Sequence, residues 1–544
     1  MGQIRMNQMG YRTQSCKKFK YLGTEKEFRI ISCDNGQEVF AGNTGMVLFD
    51  EASKEFVTEG VFSNLTREGN YYIQIGEDKS YHFTISDNQP VICTDALLKA
   101  FYYQRCGMEL TKEFAGEWKH GNCHCQNSYV FRQDAENLLN QNETELELVH
   151  TLGGWHDAGD YGRYTVAAAK AVADLLLAYE QFESEFNHSI GIPESDVFGD
   201  DILHEIKYEL DFMLKMQRDD GSVYTKVATR YFPGMIMPEE DLAPLFIFDI
   251  SSPATADFAA AMAMAGRVLK DFNGDYAKDC LIAAKKAYNW LEENAEELLF
   301  TNPDHILSGE YGDVTDIDER YWAAAELYRT TGEDKYHQDF LALFKKVEDK
   351  LTLGWSDVGG YGTLAYLYSN HTDDKVYHAL RSLWLDFAKE LEQRSKGDGY
   401  GITLAIEDYK WGSTMILLNQ CMHLIIANHL LGKAEYEDLI TTNWDYLFGM
   451  NPMDVSYVTG LGERHIMNPH HRPSAADGVM EPVPGLVSGG PCAGLYDEAA
   501  KELCQGMPPA KCFIDHVESY STNEITIYWN SPGVYVGAYL SSRV

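Results

Sequence analysis

A small β-sandwich followed by a large, mainly α domain with its helices arranged as an (α/α)6 barrel is the fold class this chain predicts. Three observations point there. Strand-like segments are confined to residues 1–88, a helical period takes over from residue 91 to 544, and the helices alternate between two kinds.

In the first region "FKYLG", "FRIISC", "YYIQIG" and "YHFTIS" are short, aromatic or β-branched, and separated by turn-forming runs such as "DNGQE" and "REGN". Several such strands in so short a span read as a sandwich. The polar stretch "SDNQPVIC", containing Pro90, reads as the hinge between the two domains. Beyond it Leu203, Ile206, Leu210, Met213 and Leu214 follow helical spacing. Similar stretches recur about a dozen times up to residue 541, with almost no strand signal between them. "ATADFAAAMAMAGRV" is small and apolar on most sides, whereas "YAKDCLIAAKKAYNWLEENAEELL" has one charged face. That alternation suits an inner ring of buried helices and an outer ring of half-exposed ones.

Composition narrows the function. Aromatic residues reach 12%, with 34 tyrosines and 9 tryptophans, which suits stacking on sugars as well as ordinary packing. A net charge of −38 repels phosphate backbones and so argues against a nucleic-acid partner, while it would attract a cationic ligand. We find no 18-residue apolar run, so no membrane partner is expected. The opening "MGQIRMNQMGYR" lacks an apolar core of the secretory type, and the eleven cysteines form no disulfide-like framework. A cytoplasmic location with reduced thiols is the expectation.

Chemistry concentrates in four places. In "GGWHDAGDYGRY" Asp157 and Asp160 stand three apart among glycines, just before a helix. Paired carboxylates there suit general-base work on a water, or else cap the helix that begins near Thr165. In "YSTNEITIYWNSPG" Glu524 sits among Tyr520, Asn523, Tyr528 and Trp529. Apolar surroundings raise a carboxyl pKa and make a general acid, the alternative being a partner for the helix dipole. "NPHHRPSAADG" offers His470, His471 and Arg472 on a loop stiffened by proline, fit to hold hydroxyl groups or to form a structural ion pair. Finally, Cys106, Cys123 and His124 suit a tetrahedral Zn²⁺, with His156, His150, His120 or Cys125 as fourth ligand.

Together "GGWHDAGDYGRY", "GMNPMDVSYVTGLGERHIMNPHHRP" and "YSTNEITIYWNSPGVYVGAYL" resemble, in order, three signature blocks of glycoside hydrolase family 9. Segment 1–88 resembles the immunoglobulin-like domain that precedes the catalytic domain in one branch of that family. The resemblance implies the (α/α)6 barrel and an inverting β-glucan hydrolase. It assigns Asp160 as base, Asp157 as a holder of the water and Glu524 as acid, with the carboxyl groups about 6.5–9.5 Å apart. It places His470 and Arg472 against sugar, and Trp411 and Tyr520 as aromatic walls of the cleft. It also implies a structural zinc site on Cys106, Cys123, His124 and His156. "GEYGDVTDIDERYW", with Asp313, Asp316, Asp318 and Glu319, resembles a calcium loop of the family that Asp357 completes, and hard carboxylates suit Ca²⁺. The aspartates of "RDDGS" (218–222) are a weaker cation candidate. The chain departs from the family at "SGGPC", where Cys492 stands in place of asparagine and Cys504 and Cys512 follow.

The expected activity is inverting hydrolysis of β-1,4 bonds in short soluble cello-oligosaccharides. An exo-β-glucosaminidase acting on chitosan oligomers is the alternative that the acidic surface favours. A sugar-binding protein without catalysis would lack the acid or the base, and both are present. A phosphorylase would need a phosphate pocket, for which only the Arg472 loop offers a cation.

Overall fold

A computed structural model describes residues 3–131 and 147–543. The chain divides into two compact units, one joining residues 1–100 to 384–544 and the other comprising 101–383.

The first unit begins with the sandwich. Its strands are β1 (Ile4–Met6), β2 (Gly10–Tyr11), β3 (Lys18–Tyr21), β4 (Glu27–Ser32), β5 (Glu38–Asn43), β6 (Leu48–Asp50), β7 (Glu55–Val61), β8 (Gly69–Ile75), β9 (Asp78–Lys79) and β10 (Phe83–Ile85). One sheet runs β1-β3-β7-β6; the other runs β2-β10-β8-β4-β5, with β9 paired to β8. Alternation sets the faces: Tyr71, Ile73 and Ile75 of β8 point inward, and join Phe19, Phe28, Phe62 and Phe83 in one core. The parallel pairing of β2 with β10 needs glycine at position 10, because a Cβ there would lie 1.9 Å from the Thr84 carbonyl oxygen. The hinge expected at Pro90 is already helix. Gln89–Tyr103 is helical, and a proline in the first turn lacks only an N–H that has no partner there anyway.

The rest of this unit is helical, with Ser413–Leu431, Glu437–Leu447 and Ile527–Ser541 as its main helices. By length and composition Ser413–Leu431 is apolar enough to cross a membrane, which corrects the expectation of no such run. Of its apolar window 72% is buried inside the protein, as in a core helix. Asn530 ties three segments together: its Nδ2 donates to the carbonyls of Leu97 and Gly485, and its Oδ1 accepts from the Val487 N–H. The sandwich meets helix Glu437–Leu447 through Asn7, whose Nδ2 donates to Asp445 Oδ1 at 2.7 Å.

In the second unit Thr165–Phe182 and Ser252–Val268 are buried almost all round, whereas Asp201–Met216 keeps a half-buried face and Gly274–Glu293 an exposed one. Both kinds fall where the hydrophobic pattern places them. The sequence did not signal a five-stranded sheet made of β11 (Ser128–Val130), β12 (Leu148–Val149), β13 (Arg163–Tyr164), β14 (Lys226–Ala228) and β15 (Phe246–Ile247), in the order β12-β11-β15-β14-β13. Strands this short show no period. They are defined by pairings between distant segments, such as Arg163 with Val227.

Burial pushes the Asp445 carboxyl up to about 8, against the opposing effects of the Asn7 hydrogen bond and the charges of Lys18 and Arg12. An acid raised in the fold stabilises it while protonated, so this contribution falls as pH rises from about 4 to about 8. Asp445→Asn keeps the shape without the charge. Its Tm should rise relative to the natural protein as pH goes from about 5 to about 8, which thermal melts at several pH values would read.

Candidate active site and metal centres

The segment 153–164 is held mostly by its backbone. Gly154 adopts a φ of 79°, and a Cβ there would lie 2.6 Å from the Phe212 ring. The Trp155 N–H donates to Glu209 Oε2 at 2.5 Å and the His156 N–H to the Gln104 carbonyl at 2.7 Å, while Gln104 Nε2 returns bonds to the carbonyls of His156 and Ala158. Arg163 donates to the carbonyls of Thr151 and Gly153. Burial pushes Glu209 up to about 8, against the Trp155 N–H and the charge of Arg163.

On this frame Asp157 and Asp160 are 1% and 7% exposed. Neither caps the following helix, whose N-cap is Tyr164 and which has no side-chain cap. Asp157 instead accepts a 2.5 Å hydrogen bond from the Tyr311 hydroxyl. Burial holds its carboxyl well above the usual range. The Tyr311 bond opposes that shift, and the charges of Asp160 and Glu209 add to it. Tyr311 reaches Asp157 from a left-handed backbone conformation (φ 49°), with its ring packed between Tyr164 and Trp355 at 4.4 and 4.7 Å. Sequence reasoning passed over Tyr311, although it stands inside the acidic stretch "GEYGDVTDIDERYW".

Beside this segment the ligand atoms of Cys106, Cys123, His124 and His156 lie within 4.8 Å of one another, all buried. Tetrahedral ligands at about 2.0–2.3 Å from a cation are roughly 3.3–3.8 Å apart, so small shifts would complete such a shell. His124 Nδ1 and His156 Nε2 have no hydrogen-bond partner among the described residues, while His124 Nε2 lies 3.3 Å from Asp241 Oδ2. A ring with one nitrogen on a carboxylate and the other bare is the usual arrangement of a metal-bound histidine. The other fourth-ligand candidates point elsewhere: His120 Nδ1 bonds to the Gly121 carbonyl, His150 Nδ1 lies against Asn127, and Cys125 is exposed. Burial opposes ionisation of Cys106, but Cys123, Arg163, His156 and His124 outweigh it and hold the thiol well below its ordinary value.

Asp313, Asp318, Glu319 and Asp357 form a second cluster, joined by Asp257, which the sequence did not single out. Both oxygens of Asp257 and of Glu319, and Asp313 Oδ2, are buried without a hydrogen-bond partner among the described residues. Backbone N–H groups of Val314, Val358 and Gly359 donate to Asp313, Asp318 and Asp357. Burial, with help from Asp318, pushes Asp357 up to about 7; burial likewise takes Asp313 to about 6. Asp316 is not part of this set, since it pairs with Arg320 at 2.8 Å. Asp220 of "RDDGS" is occupied by a turn, accepting from Ser222 N and Oγ.

In the other unit Glu524 follows the short helix Tyr520–Asn523 and has extended backbone. Its carbonyl accepts from the Gly489 N–H, and it pairs with His470 in a β-bridge. Two aspartates fix the surroundings. Asp515 accepts from the N–H groups of Met467 and Asn468 and from Asn523 Nδ2, and Asp497 accepts from Ser519, Ser521 and Ala500. His470 Nδ1 lies 2.5 Å from the Val517 carbonyl, and Arg472 is buried at the start of helix Arg472–Ala476. Trp411 and Tyr496 are 42% and 52% exposed, and Tyr520 packs 5.4 Å from Trp411, so an aromatic surface borders this segment. At "SGGPC" the Cys492 N–H donates to the Cys512 carbonyl at 2.8 Å.

Residues 93–537 match the model of glycosyl hydrolase family 9, and residues 1–80 match the cellulase N-terminal ig-like domain. The chain belongs to glycosyl hydrolase family 9. It is 41% identical to a cellodextrinase from Butyrivibrio fibrisolvens over 98% of this chain and 99% of that one, and 35% identical to endoglucanase D of Acetivibrio thermocellus over 98% and 82%. Among solved structures, an endoglucanase from Alicyclobacillus acidocaldarius matches with a TM-score of 0.92 and 38% identity, covering 99% of this chain and 100% of that one. A Zn-binding triple mutant of the family 9 endoglucanase J30 matches with a TM-score of 0.91 and 32% identity, covering 97% and 99%. The expected class of a β-sandwich ahead of a helical catalytic domain is thereby shown.

Tyr311→Phe deletes one hydrogen bond to a buried carboxyl and leaves the ring in place. In this enzyme we expect hydrolytic turnover to fall about 10- to 100-fold, as losing a bond of roughly 1.5–3 kcal/mol implies, with Tm little changed. Steady-state rates and a thermal melt check both.

Proposed function

We propose that this enzyme hydrolyses β-1,4-linked glucans with inversion, and that short soluble cello-oligosaccharides are its substrates. The observation that carries the reading is the pair Asp157 and Asp160, held on a rigid loop with Tyr311 on one member. Family membership and the near full-length likeness to a cellodextrinase support the substrate class.

In this reading Glu524 protonates the glycosidic oxygen as its bond to the anomeric carbon breaks. Positive charge grows on the sugar. Asp160 takes a proton from the water that attacks the opposite face, and Asp157, steadied by Tyr311, holds that water. His470 and Arg472 contact sugar hydroxyls, and Trp411, Tyr496 and Tyr520 give rings for stacking. The net charge of −38 favours glucosamine oligomers as a second substrate class, because their ammonium groups would be drawn to the surface.

Cys106, Cys123, His124 and His156 would hold Zn²⁺, whose part is to pin the loop carrying Asp157. Asp313, Asp318, Glu319 and Asp357 would hold Ca²⁺, a hard cation for hard oxygens that also relieves their mutual repulsion.

Four measurements test these assignments. Glu524→Gln and Asp160→Asn should each lower turnover on cellotetraose by at least about 100-fold, and hydrolysis followed by NMR should release the α-anomer first; full activity in either variant would refute its role. Comparing cello-, chito- and chitosan-oligosaccharides identifies the sugar. Dialysis against a chelator should lower Tm, zinc and calcium should each restore part of it, and Cys106→Ser should abolish the zinc share alone.

A further inference from the structure

Lys226 lies on β14 and is fully buried, and among the described residues its hydrogen bonds go to no carboxylate. Its Nζ donates to Gly309 O at 2.5 Å, Asn302 Oδ1 at 2.6 Å, Ser308 Oγ at 3.3 Å and Ser308 O at 3.5 Å, all neutral oxygens. Phe248, Phe300 and Tyr164 surround it, with ring centroids at 4.5, 5.4 and 5.8 Å. Leaving an ammonium in such a place is expensive unless the fold needs it there.

What it holds is one loop. Asn302 Nδ2 donates to Ser308 O at 2.7 Å, so Lys226 and Asn302 gather residues 302–309 from two sides. Two residues past Gly309 comes Tyr311, in its left-handed conformation with its hydroxyl on Asp157. Lys226 pairs across the sheet with Tyr164, whose ring packs on Tyr311. The charged groups whose fields reach the ammonium are Asp160 and Glu310.

We propose that Lys226 is a positioning residue for hydrolysis: its ammonium fixes segment 302–309 so that Tyr311 meets Asp157. The proposal rests on the reading of Asp157 and Asp160 as the pair that handles water. Burial lowers Lys226 to about 7, against the pull of Asp160 and Glu310.

The test uses the full chain with cellotetraose. Lys226→Met should lower kcat about tenfold or more with KM changed less than about threefold. A kcat within about twofold of the natural enzyme would overturn it. Should Lys226→Met fail to fold, Asn302→Leu removes the closest side-chain acceptor and keeps the cation. It should lower kcat with KM little changed, and an unaltered kcat overturns the proposal. Asp160→Asn separates the two levels. If that variant is inactive and Lys226→Met is normal, the proposal alone fails; if it is active, the reading of the pair fails.

Discussion

The hydrogen bond from Tyr311 to Asp157 is the contact on which the second unit's site is organised. A carboxyl group with so little access to water pays heavily for ionisation, and the nearby charges of Asp160 and Glu209 add to the cost. One short hydroxyl donor keeps it in a defined position. The surrounding structure serves that contact: glycines let the chain pass close to Phe212, Glu209 and Gln104 hold the backbone, and Arg163 gathers the carbonyls of Thr151 and Gly153. None of these interactions is strong alone. Their joint effect is that Asp157 and Asp160 have little freedom to turn toward the helix that follows and cap it.

Local signals were the legible ones. Hydrophobic period located helices such as Thr165–Phe182 and Ser413–Leu431, short aromatic or β-branched runs between turn signals located β4, β8 and β10, and the long motifs identified the region of Asp157, Asp160 and Glu524. What escaped depends on pairings between distant segments. The five-stranded sheet is built from two- and three-residue strands that have no pattern of their own. Asp257 sits in an apolar, alanine-rich helix that reads as core, and only the fold turns its carboxyl toward Asp313 and Asp318. Tyr311 and Lys226 read as ordinary members of a loop and a strand until their partners are known. Pro90 misled in the opposite sense, because a proline that stops a helix in mid-course is well suited to begin one.

The two clusters of metal-type donors answer one difficulty in different chemical terms. Loops carrying reactive groups cannot be packed as a core is packed, since their side chains must remain available. Near Asp157 the donors are soft, two sulfurs and two imidazoles, gathered from segments around residues 106, 123 and 156. Near Tyr311 they are hard carboxylates at positions 313, 318, 319 and 357, joined by position 257. In both, polar atoms are buried without donors of their own, and that arrangement is costly unless something positive meets them.

This gives the segment 302–319 an unusual density of duties. Its first half supplies the oxygens that Lys226 holds, its middle supplies Tyr311, and its end supplies Asp313, Asp318 and Glu319. A displacement at either end therefore travels a few residues at most before it reaches the hydroxyl on Asp157. Negative charges crowd at the far end, where neighbouring carboxyl groups raise one another, and the Lys226 ammonium gathers the near end. Residues that never touch Asp157 thus bear on where the Tyr311 hydroxyl sits.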